Sequence, residues 1–108
     1  MKILLCPVPD GSLESTLEPL FSYGNQWGRN SALVLPLGIL RINTWIEKNG
    51  YNSDIYDLNN LRPSDEQLIK NFKQVKPTVV ALSAPFSHCY PNVKRISKIL
   101  RELFSDIW

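Results

Sequence analysis

The sequence predicts a three-layer α/β unit in which three parallel strands alternate with helices, and three observations carry that prediction. Thr78-Val79-Val80-Ala81-Leu82 is a β-branched, nearly uninterrupted apolar run, as expected of a strand covered on both faces in a parallel sheet. A segment opened by Pro36-Leu37-Gly38 and closed by Asn49-Gly50 separates two strand-like runs and has the length of a crossover helix. The chain has 108 residues, 44% of them apolar and 20% charged, which suffices for one compact core and leaves no room for a second domain.

Taken in order, Lys2 to Val8 contains the apolar run Ile3-Leu4-Leu5, ended by Pro7-Val8-Pro9-Asp10-Gly11, where prolines remove ladder donors. Residues 12–35 form a connector long for a compact α/β domain, read as a functional loop or as a loop interrupted by a short helix over Leu13 to Tyr23. In the helix from Pro36, a broad apolar face is expected from Leu37, Leu40, Ile42, Trp45 and Ile46, with Arg41, Asn43, Glu47 and Lys48 in water. Gly50, free to adopt positive φ, ends it.

Tyr51 to Leu58 supplies the second strand, centred on Asp54-Ile55-Tyr56-Asp57. Ser64 and Gln67 have capping-box spacing for a helix through Lys76, with Leu68, Phe72 and Val75 inward and Pro77 as its stop. After the Thr78–Leu82 strand, a last helix from Tyr90 to Phe104 places Val93, Ile96, Ile99, Leu100 and Leu103 on one side. Right-handed crossovers make the strands parallel, and a Rossmann/flavodoxin-like sheet would order them 2-1-3. The third strand then presents an edge that another chain or further sequence would cover. Residues 1–108 are therefore read as part of a larger five-stranded domain.

Charge and composition narrow the function classes. Twelve basic and ten acidic residues give a net charge of +2 without a basic stripe, so no nucleic-acid footprint is expected. Lys94, Arg95, Lys98 and Arg101 are read as the solvated face of the last helix. No run reaches the roughly 20 apolar residues that span a bilayer. The opening residues lack a secretion signal, and two cysteines make no disulfide framework, so a cytoplasmic protein with reduced thiols is the expectation.

Ligand chemistry in a parallel sheet belongs at the carboxyl ends of the strands. Those rims hold residues 6–11, 57–60 and 83–89, the first and third adjacent if the outer two strands flank as predicted. Cys6, His88 and Cys89 admit a soft-metal site or a Cys-His nucleophile, but the spacing matches no compact zinc signature, and the simpler reading is structural. Asp10 and Asp57 are read first as turn caps. Neither G-x-G-x-x-G nor G-x-x-x-x-G-K-[ST] occurs, which disfavours dinucleotide and phosphate-loop chemistry. The C-x-x-x-C-x-x-C of a radical-forming iron-sulfur cluster is absent from this chain.

Three stretches carry a resemblance. KILLCPVP at the start, PLGILRINTWIEKNGYNSDIYDLN at 36–59 and SDEQLIKNFKQVKPTVVALSAPFSHCYPNVKRISKIL at 64–100 together resemble the amino-terminal cobalamin-binding-like domain of radical S-adenosylmethionine enzymes. The resemblance implies cobalamin as cofactor, with S-adenosylmethionine and an iron-sulfur cluster confined to a downstream catalytic domain that would be the partner. It matches Pro36, Leu37 and Gly38 to the helix opening beside the cofactor and Ser83 to the serine-bearing exit that contacts the nucleotide tail. The D-x-H-x-x-G histidine of classical cobalamin domains has no counterpart at Cys6-Pro7-Val8-Pro9-Asp10-Gly11, and His88 stands at another exit. A nonautonomous domain follows, itself without catalysis. The alternative is a small Rossmann-like interaction domain without cobalamin.

Overall fold

A computed structural model describes residues 1–9, 36–85 and 87–108. The expected connector, its helix over Leu13 to Tyr23, and the Asp10-Gly11 turn lie outside the described residues. Among these, strand β1 (Lys2–Pro7) is followed by helix α1 (Leu37–Lys48), strand β2 (Asn52–Ile55), the short helix α2 (Leu58–Leu61), helix α3 (Asp65–Val75), strand β3 (Val79–Ser83) and helix α4 (Tyr90–Leu103). A 3-10 turn over Ser87–Cys89 leads into α4.

The strands form a parallel sheet in the order β2-β1-β3, as predicted. Register pairs Lys2 with Asn52 and Leu5 with Ile55 on one side of β1, and Ile3 with Val79 and Pro7 with Ser83 on the other. Pro7 sits in a strand at little cost. Alternation turns the backbone groups of odd-numbered β1 residues toward β2, where Leu5 accepts from the Tyr56 amide at 2.9 Å, and by Pro7 the β2 ladder has ended.

Alternation also sorts the side chains into two layers. Leu4, Cys6 and Val8, with partly buried Val80 and Leu82 beside them, join Leu68 and Phe72 of α3 and Ile96, Ile99 and Leu100 of α4 in the main core. The ring of Tyr56 meets Phe72 edge-on at 6.2 Å between centroids. On the opposite face α1 packs on β2 and β1, where Leu5 and Ile39 are buried. There Ser53, also buried, donates from its hydroxyl to Asn43 Oδ1 at 2.8 Å. Helices thus flank the sheet on both sides, which is the three-layer arrangement.

Helix ends follow local chemistry. Ser64 caps α3 by accepting from the Gln67 amide at 3.3 Å while Gln67 Oε1 accepts from the Ser64 amide at 3.0 Å, a complete capping box. Ser64 is exposed, so Ser64→Ala should remove the cap without touching the core; a loss of about 1 kcal/mol in urea unfolding with an unchanged m-value is expected. Past α1, Gly50 takes φ +84°, where a side chain would be strained. Arg62 and Lys76 adopt left-handed φ values of 45° and 51° at the ends of α2 and α3, each just before a proline that prevents the helix from continuing.

Four expectations need correction. The apolar face of α1 is misassigned: Ile39 is buried and Ile46 half-buried, whereas Leu37, Leu40, Ile42 and Trp45 are exposed. The sheet selects the side carrying Ile39, Asn43 and Ile46, spaced one helical turn apart. The second strand is shorter than expected, because Asp57 turns the chain into α2. Arg95 is not part of the solvated face of α4: its side chain is three-quarters shielded, pairs with Asp65 of α3 and donates to the Pro63 carbonyl at 3.4 Å. Its Nη1 is buried without a hydrogen-bond partner. Finally, no residue of β3 is fully buried and Ala81 is exposed, so the run reading as covered on both faces packs only partly against the main core, through Val80 and Leu82.

Candidate ligand rim at the strand ends

The rim is created by the pairing of β1 with β3. Pro7 lies opposite Ser83, and the Val8 amide donates to the Ser83 carbonyl at 2.9 Å, so the two strand exits are side by side. Val8 and Pro9 are buried directly beyond the strand and form the floor of the exit rather than an open loop. Asn92, in the first turn of α4, donates from Nδ2 to the Pro9 carbonyl at 3.3 Å and fixes the start of that helix against β1. Asn92 is 3% exposed and escaped the sequence reading because a polar residue in a first helical turn ordinarily faces water.

Pro36, Leu37 and Gly38 stand at the amino end of α1. Pro36 is the N-cap, and its carbonyl accepts from the Leu40 amide at 2.9 Å. Because α1 ends just before β2 begins, it runs back along the sheet, and its amino end lies toward the carboxyl ends of the strands. Leu37 is 65% exposed, and a Cβ placed on Gly38 would meet nothing within 4 Å. Ser83 is half-buried, followed by exposed Ala84 and Pro85. No hydrogen bond links Ser83 to the 36–38 segment among the described residues; direction and topology put them on one rim.

The reactive side chains sort differently. Cys6 and Cys89 are both fully buried in the main core. Burial pushes the Cys6 thiol up from 9.0 to about 12, since a thiolate there would be stripped of water. At neutral pH it is a protonated apolar filler, unsuited to nucleophilic attack or to soft-metal ligation. Among the described residues no three His, Cys, Asp or Glu side chains gather in metal-binding geometry. Asp57 accepts from the Asn60 amide at 3.2 Å and from its Nδ2 at 2.6 Å, which makes it the cap of α2, as the turn reading expected. Asp10 lies outside the described residues.

A shallow depression beside β2 is lined by Leu4, Asp54, Ile55, Tyr56, Asn71 and Val75. Asn71 Nδ2 donates to the Tyr56 hydroxyl at 2.6 Å, and Asp54 pairs with Lys2, so its polar groups are engaged internally. A second lies along the outer side of α1, between Leu37, Leu40, Arg41, Thr44, Trp45 and Lys48. No helix among the described residues is long and apolar enough to cross a membrane. No family model, curated protein or solved structure matches the chain.

Proposed function

We propose that this Rossmann/flavodoxin-like unit is a cobalamin-binding-like portion of a radical S-adenosylmethionine protein, contributing one wall of a cofactor or substrate cavity and docking against a catalytic module. The observation that carries the reading is the adjacency of the β1 and β3 exits at Pro7 and Ser83, which puts the serine-bearing exit on a shared rim. The sequence likeness over 36–59 and 64–100 supplies the choice of cofactor.

The described residues suit an extended flat group better than a compact phosphate. The 36–38 segment offers open space above Gly38 and an exposed Leu37, and Ser83 with Ala84 and Pro85 makes a small-residue ledge. Ser83 would hold the nucleotide tail through its hydroxyl, because its carbonyl is already engaged by Val8. The backbone of Pro36, Leu37 and Gly38 would border the ring. When bound, cobalamin supplies methyl transfer or radical chemistry; this chain's part is to bind and orient it, and the sequence of the β1 exit, residues 6–11, includes no histidine.

Titration of the full chain with hydroxocobalamin, followed by the cofactor's visible absorption, tests the proposal. Saturable binding that weakens at least tenfold in Ser83→Val and in Gly38→Trp supports it. A second reading, a protein-interaction domain without cobalamin, is favoured by the outward apolar stripe of α1, on which Trp45 is 67% exposed. Unchanged spectra at millimolar cofactor together with tight association with another domain would select that reading.

A further inference from the structure

We draw no further inference here: the strongest candidate, the outward surface patch of α1 formed by Leu37, Leu40 and Trp45 with Arg41 and Lys48 beside them, is an apolar helix face, and nothing among the described residues shows what covers it.

Discussion

Phe72→Ala is expected to cost about 3–5 kcal/mol, the largest loss of any single truncation among the described residues. Phe72 is fully buried on α3, at the point where that helix meets the main core of Leu4, Cys6, Leu68 and Ile96. Truncation removes the buried ring, leaves a void that flanking strands cannot close, and deletes the edge-on contact with Tyr56. A domain of this size has roughly 5–15 kcal/mol to lose, so the variant should sit near the limit of folding. Urea unfolding of the two chains measures it. A loss below about 1 kcal/mol would mean that α3 is not seated on the sheet as described. Phe72→Leu, which keeps most of the apolar volume, should retain a cooperative transition and guards against a variant that does not fold.

The second large effect is a loss of stability at alkaline pH. In the unfolded chain the Cys6 thiol has its ordinary value of 9.0; burial raises it to about 12 in the fold. A raised folded value means that the unfolded state gives up the proton first. The corresponding stabilisation is therefore fully present below about pH 9 and disappears as the pH climbs toward about 12. At 1.36 kcal/mol for each pH unit, the whole window is worth on the order of 4 kcal/mol. Cys6→Ala leaves a small void and lowers stability at every pH, so the informative quantity is the slope. Between pH 9 and pH 11 the parent chain should lose stability faster than the alanine variant. Parallel curves would show that water reaches the thiol.

Both predictions depend on packing that was only partly legible beforehand. The Leu68–Phe72–Val75 stripe of α3 was readable because its outer positions are charged or amides, so one side alone qualifies for burial. The α1 segment gave no such contrast. Leu37, Leu40, Ile42 and Trp45 are as apolar as Ile39 and Ile46, and periodicity cannot choose between two apolar sides. Contact with β2, through the Ser53 bond to Asn43, made the choice and left the larger residues outside. For the rim, the adjacency of the β1 and β3 exits followed from strand order, whereas the tie from Asn92 to Pro9 spans 83 positions and leaves no local trace.

The sequence by itself determined the kinds and order of the main elements, the capping box at Ser64, the glycine stop at Gly50 and the parallel sheet with β1 at its centre. Each of these is encoded within a few residues: a cap and its donor, a backbone without Cβ, a β-branched run, or a crossover too long for a hairpin. Only the tertiary structure decided that Arg95 turns inward to Asp65, that β3 packs only partly against the main core, and that the Trp108 backbone pairs with Thr78 and Val80. Those outcomes depend on which surfaces meet after the chain has folded back on itself, and a pairing between distant residues is fixed by the geometry of the sheet rather than by the neighbours of either partner in sequence.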